Sequence, residues 1–278
     1  MGNCYLCGQP AGIFRGKHAE CVTKHEQGAS KIAALVKSAI LGGGTVETLK
    51  SKVVDTARES FIAEGEITTY LIEGWEAAVE HFLEDGALDA EEEKNLVSFI
   101  DRFQLSRDTL NKNGAFSRVV KAGVIRDLLE GKVPDRVKID QPLPFNFQKS
   151  EQLIWVFSNV DYLEDRAKTE YKGGSHGVSV RIMKGLYYRV GAFKGEAVSR
   201  TERLHVDTGL LGVTTKHVYF SGPKKSLRVR HDNIVSFRPY SDGIAIVRDT
   251  ATAKPQIFVT GDGWFIHNLL ANVAQLEG

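Results

Sequence analysis

The chain has 278 residues, 42% of them hydrophobic and 26% charged, with a net charge of +1. This is the composition of a folded globular protein, not of a disordered one, and the length suffices for two domains with separate cores. The longest apolar run, Ile32 to Leu41, is broken by Lys37 and is far too short to cross a membrane.

The near-zero total hides an asymmetry. Residues 1–30 carry three Lys/Arg and two Asp/Glu (+1), residues 31–140 carry 15 and 20 (−5), and residues 141–278 carry 18 and 13 (+5). An acidic middle and a basic end can attract each other, or each can meet a partner of opposite sign. The opening Met-Gly-Asn-Cys comes close to a myristoylation signal but has Leu6 where Ser or Thr is needed. With no basic-then-apolar leader, the expected location is the cytoplasm, where thiols stay reduced, with a place at the periphery of a membrane as the variant.

All three cysteines fall in the first 21 residues, as Cys4-x2-Cys7-x10-His18-x2-Cys21. Two such pairs separated by a loop are the framework of a tetrahedral zinc site. Gly8 gives the Cys-x-x-Cys turn the backbone freedom to converge two thiolates on one ion. A disulfide would leave an odd cysteine, and a thioredoxin-like motif would need a preceding strand and a following helix, whereas only three residues precede Cys4. The expectation is one structural Zn2+ held by Cys4, Cys7, His18 and Cys21. His25 is the alternative to His18. Four protein ligands leave no open position for catalysis, and metal binding drives the folding of so short a segment.

Residues 26 to about 131 read as helices. Ile67, Tyr70, Leu71, Trp75, Ala78, Val79 and Phe82 form one apolar stripe; Leu96, Phe99, Ile100 and Phe103 form another. A third, Phe116, Val119, Val120, Val124 and Leu128, ends near Gly131 and Pro134. Gly42-Gly43-Gly44 breaks the chain between two earlier helices. Asp89 followed by Glu92 is a capping box. The Asp85–Asp89 turn invites a calcium reading, but Ala87, Ala90 and Leu96 occupy positions that an EF-hand fills with ligands and glycine. The order helix, Asp-Gly-x-Leu-x-x-Glu-Glu, helix over residues 60–131 resembles the helical hairpin of the TerB-like family. That resemblance implies a link to stress or phage-defence functions. No metal-binding residue is carried over from it.

Pro134, Pro142 and Pro144 mark a linker, after which the pattern changes to period two. Strands are expected at Leu153–Phe157, Val178–Ile182, Leu186–Val190, Val198–His205, Leu210–Thr214, Val218–Ser221, Leu227–Arg230, Ile234–Pro239, Ile244–Arg248 and Ile257–Thr260. A last helix carries Ile266, Leu269, Leu270, Val273 and Ala274 on one face, with Asp262 able to cap it. Many short antiparallel strands closed by one helix resemble the pleckstrin-homology (PH) superfold. The stretch Asp207-Thr-Gly-Leu-Leu-Gly-Val-Thr-Thr-Lys-His-Val-Tyr-Phe-Ser-Gly222, followed by Arg228 to Arg230 and Ile234 to Tyr240, is similar to the GRAM and bacterial PH-like pattern. Over residues 146–277 the resemblance implies a module that binds lipids, peptides or proteins, and names no ligand.

The fold class expected is thus multidomain α+β: a zinc knuckle (1–25), an all-α helical domain (26–133), a linker (134–145) and an antiparallel β, PH-like domain closed by a helix (146–278). Lys224, Lys225, Arg228 and Arg230 are the expected contact residues for an anionic partner. Basic residues alternating on one strand face are also what a solvated edge strand looks like. The glycine loop Lys172–Gly177 lacks the spacing of a phosphate-binding loop. No Gly-x-Ser-x-Gly or His-Glu-x-x-His is present, and no cysteine outside the cluster can act as nucleophile, so the reading is non-enzymatic. An adaptor or scaffold for a protein partner fits best, at an anionic lipid surface or away from one. A nucleic-acid-associated regulator is the alternative, though the knuckle carries only Arg15, Lys17 and Lys24.

Overall fold

Apolar residues recurring every three or four positions between residues 26 and 130 can leave water only if the helices that carry them pack stripe against stripe. The computed structural model realises that arrangement. It describes residues 2–12, 16–43, 46–84, 86–139, 141–172, 178–183, 186–190, 196–250, 254–274 and 276. These form a mixed α+β chain that divides into two compact units, Met1–Glu130 and Gly131–Gly278.

The first unit opens with two short strands, β1 (Gly2–Asn3) and β2 (Pro10–Gly12), paired antiparallel. Helices follow: α1 (Ala19–Ser38), α2 (Val46–Glu59), α3 (Glu64–Phe82), α4 (Ala90–Phe103), the single turn α5 (Arg107–Leu110) and α6 (Ala115–Leu129). Between α1 and α2 the chain widens into one π turn, Ala39–Gly43, and kinks at Gly42. Ile32 and Val36 of α1, Trp75 and Ala78 of α3, Leu96 of α4 and Leu110 of α5 are fully buried in one core. The one polar atom that Trp75 brings inside is satisfied, because its indole N–H donates to the Leu96 carbonyl at 3.2 Å.

The Asp89 capping box forms in full: Asp89 Oδ1 accepts from the Glu92 amide at 2.8 Å and Glu92 Oε2 from the Asp89 amide at 2.9 Å. Arg126 of α6 braces the same corner. Its guanidinium donates to the Leu88 and Asp89 carbonyls and pairs with Glu93.

The second unit is built on a seven-stranded antiparallel sheet. Its strands are β3 (Leu153–Lys172), β6 (Glu196–Thr214), β7 (His217–Ser221), β8 (Ser226–Arg230), β9 (Ile234–Pro239), β10 (Gly243–Arg248) and β11 (Gln256–Val259), in the order β8-β7-β6-β3-β11-β10-β9. β4 (Val178–Met183) and β5 (Leu186–Val190) pair only with each other among the described residues. The first strand of the sheet therefore lies at its centre, with one meander on each side. Helix α7 (Gly263–Val273) closes the unit against β9 and β10 and buries Phe265, Ile266, Leu269, Leu270 and Val273. Asp262 caps it, accepting from the Phe265 amide at 3.0 Å.

Two strands are longer than the sequence pattern predicts. β3 runs on from Phe157 to Lys172, past a register shift at Phe157/Val160 where Asn159 takes a left-handed φ of 54°. The segments Val198–His205 and Leu210–Thr214 are one strand, β6, not two. Gly209 in its middle marks a close approach instead of a turn. A Cβ there would lie 2.2 Å from the Ser221 carbonyl oxygen of β7.

Candidate functional site

The N-terminal cluster is assembled by local backbone geometry. The Cys4 amide donates to the Gln9 carbonyl at 2.7 Å and the Gly8 amide to the Cys4 carbonyl at 2.8 Å, closing the turn that carries Cys7. Gly8 sits at φ 74°, a left-handed conformation that favours glycine. The second pair comes from a helix start: His18 is the residue before α1, and Cys21 lies in its first turn. Ligand atoms of Cys4, Cys7, His18 and Cys21 all lie within 4.8 Å of one another, so the group can hold one metal ion.

The histidine is already oriented for that task. His18 Nε2 lies 3.0 Å from the Pro10 carbonyl, which can only accept, so Nε2 carries the proton. Nδ1 is left as the lone-pair nitrogen, 3.4 Å from Cys7 Sγ and 3.6 Å from Cys21 Sγ. Fixing the tautomer through the outer nitrogen is how ligating histidines are usually held. His25 stands apart from the cluster. Its Nε2 faces Glu66 Oε1 at 3.4 Å and its ring meets Tyr70 edge-on.

Two of the thiols differ in acidity. Burial works to raise the Cys4 pKa, but hydrogen bonds from the Cys7, His18 and Leu6 backbone, with the Cys7 side chain, outweigh it and bring the pKa down to about 6. Cys21 is pushed up to about 11 by burial and by the neighbouring Cys7 and Cys4 sulfurs. Three thiolates cannot share this space without a compensating cation.

In the second unit the expected basic residues occupy two settings. Lys224 and Lys225 lie in the β7–β8 turn, not on the strand, and their amides donate to Asp207 Oδ2 at 2.6 and 2.7 Å. Lys224 therefore does not continue the strand face of Ser226, Arg228 and Arg230. Arg228 and Arg230 do point outward from β8 while Val229 is buried and Leu227 half-buried. β8 is an edge strand, paired only with β7 among the described residues. Arg230 is paired with Asp232 at 2.5 Å, and Arg228 reaches the Tyr219 phenol. Arg15, Asp85 and the 173–177 loop with His176 lie outside the described residues.

The structure also gathers polar groups that no spacing announced. Glu151, whose side chain is fully buried, accepts from Thr214 Oγ1 at 3.0 Å, from Tyr219 Oη at 2.7 Å, from the Gln148 amide and from His217 Nδ1. Burial would raise its pKa, but these hydrogen bonds outweigh it and hold the carboxylate below its ordinary range. Phe145 and Phe147 pack on Tyr219 beside it. This network ties the segment before β3 to β6 and β7.

A second gathering is a cleft of about 500 Å³ at one end of the sheet, lined by Tyr162, Glu164, Lys225, Arg248, Lys254 and Gln256 among others. The chain matches no protein-family model, no curated protein and no solved structure.

Proposed function

We propose that the chain is a non-enzymatic adaptor, stabilised by one structural zinc ion, whose PH-like second unit binds a protein partner. For the metal, the carrying observation is the closed set of four protein ligand atoms. Bonds of about 2.3 Å to sulfur and 2.0–2.1 Å to nitrogen at tetrahedral angles put neighbouring ligand atoms roughly 3.5–3.8 Å apart. The His18 Nδ1 separations of 3.4 and 3.6 Å agree with that spacing. Three thiolates and one imidazole suit zinc, and with no place left for water the ion holds the knuckle together and performs no chemistry.

Support for the binding role comes from the open edge at β8, where Arg228 faces solvent beside the Lys224–Lys225 turn. An antiparallel sheet closed by a helix also agrees with the PH-like resemblance. The full chain should capture a protein partner in a pull-down read by mass spectrometry. Lys224→Glu with Arg228→Glu should reduce that capture at least tenfold while the protein remains folded, and rising salt should weaken wild-type capture. Unchanged capture by the double variant at both low and high salt would remove the basic edge from the reading. Co-sedimentation with anionic liposomes in the absence of any captured protein would replace the protein partner with a membrane.

A further inference from the structure

Among the described residues, two side chains that line this cleft each carry a buried polar atom without a hydrogen-bond partner. Gln256 is 7% exposed, and its Nε2 donates to Tyr162 Oη at 3.5 Å, which fixes the amide orientation. Its Oε1 is buried without a donor among the described residues. Arg248 Nε is likewise buried without an acceptor among them. A buried donor or acceptor left without a partner is unfavourable unless something fills it. The charge around them is one-sided. Among the described lining residues, Lys225, Arg248 and Lys254 face a single carboxylate, Glu164, which already accepts from Tyr162 Oη at 2.8 Å.

The lining thus offers two unmatched groups in one cleft: a donor on Arg248 that an anionic acceptor would match and an acceptor on Gln256 that a hydrogen-bond donor would match. A phosphate-ester dianion supplies the first but has no proton to donate to the second, where it would set oxygen against oxygen. An acidic residue of an extended peptide supplies both, a carboxylate from its side chain and an N–H from its backbone. The cleft also adjoins a place where such a peptide can lie. Ser226 and Leu227 of β8 form part of its wall, and the outer edge of β8 carries no partner strand among the described residues. An added strand gains main-chain hydrogen bonds along that edge and turns every second side chain to the same side.

We propose that the β8 edge and this cleft together form a docking site for an extended acidic peptide of a protein partner, one of whose carboxylates is seated among Lys225, Arg248 and Lys254. The inference rests on the adaptor reading and gives it a partner chemistry and a second set of residues.

The test uses the full chain, labelled for amide NMR, and an N-acetylated, C-amidated octapeptide alternating threonine with glutamate. Saturable shifts are expected at the Ser226–Arg230 amides and at the Gln256 side-chain amide. The same peptide with glutamine for glutamate should bind at least tenfold more weakly. Arg248→Gln and Lys254→Gln should each weaken the glutamate peptide at least fivefold; Lys254 is exposed, so its variant separates lost binding from lost folding.

The proposal is overturned if the glutamate peptide gives no saturable shift, if the glutamine peptide binds equally, or if both variants bind like wild type. It is also overturned if inorganic phosphate or phosphatidylserine vesicles saturate the same amides at lower concentration than the peptide. Peptide failure alongside successful, Arg228-dependent capture of a protein would leave the adaptor reading standing on another surface. Failure of capture alone would count against the adaptor reading while leaving the measured site intact.

Discussion

The cysteine cluster and the Glu151 network are both polar centres in small spaces, and they are built in opposite ways. The cluster draws four side chains from 18 consecutive residues, Cys4 to Cys21. Its like-charged ligands need an ion to coexist. The Glu151 network joins residues up to 68 positions apart, and its one carboxylate is satisfied by protein donors alone. The first can assemble as soon as its segment and a metal meet. The second exists only after β6 and β7 have paired and the segment before β3 has folded down on them. A local centre thus depends on a ligand, and a non-local one depends on the finished fold.

The largest effect expected from breaking this comparison is at the cluster. Cys4→Ser or Cys21→Ser should abolish stoichiometric metal, one equivalent in the wild type by elemental analysis, and should leave residues 2–12 without protection in hydrogen exchange. Full metal content in both variants would show that the four residues are not the ligands. The sheet of the second unit should keep its protection, because it lies in the other compact unit.

Next in size is Glu151→Gln. Truncating one member of a buried, hydrogen-bonded charge network costs roughly 3–5 kcal/mol, and the amide retains part of the packing, so about 2–3 kcal/mol is expected by denaturant unfolding. The pH dependence has a definite sign. The folded pKa of Glu151 lies below the ordinary carboxylate value of 4.5. Its contribution is therefore fully present above that value and is lost as pH falls through the folded pKa. Wild type should lose stability on acidification more steeply than Glu151→Gln. Parallel pH profiles would contradict the network as drawn.

The smallest effect separates the two units by their helix caps. Asp262→Ala and Asp89→Ala should each cost about 1 kcal/mol, the first in the sheet unit and the second in the helical unit. Hydrogen exchange should locate each loss in its own unit, and a loss spread evenly over both would argue against two independent cores.

Local features were the legible ones. The Cys-x2-Cys and His-x2-Cys spacings, the Trp75 and Leu96 stripes and the Asp89–Glu92 box all lie within a turn or two of chain, where sequence distance and spatial distance agree. The long strands were not legible. Past Phe157, β3 carries Asp161, Glu164 and Asp165, and β6 carries Asp207-Thr208-Gly209, which read as turn residues. Asp207 is buried because it accepts the amides of another turn, and Gly209 is there to let β7 approach. The Glu151 network and the Arg248–Gln256 cleft had no signature at all. Glu164 and Gln256 are 92 positions apart and become neighbours only through the β3–β11 register.

That register has a consequence for how the protein is made. β3, the first strand of the seven, is hydrogen-bonded to β11, the last. A chain growing on the ribosome can pair β3 with β6 and then add β7 and β8, but the other flank of β3 stays open until residues 256–259 have been synthesised. For that interval the central strand of the finished sheet is an edge strand, with its unpaired backbone groups available to any other chain. Pairings this distant in sequence close slowly. The time between synthesis of β3 and arrival of β11 is therefore the period in which the second unit is most exposed to misassembly.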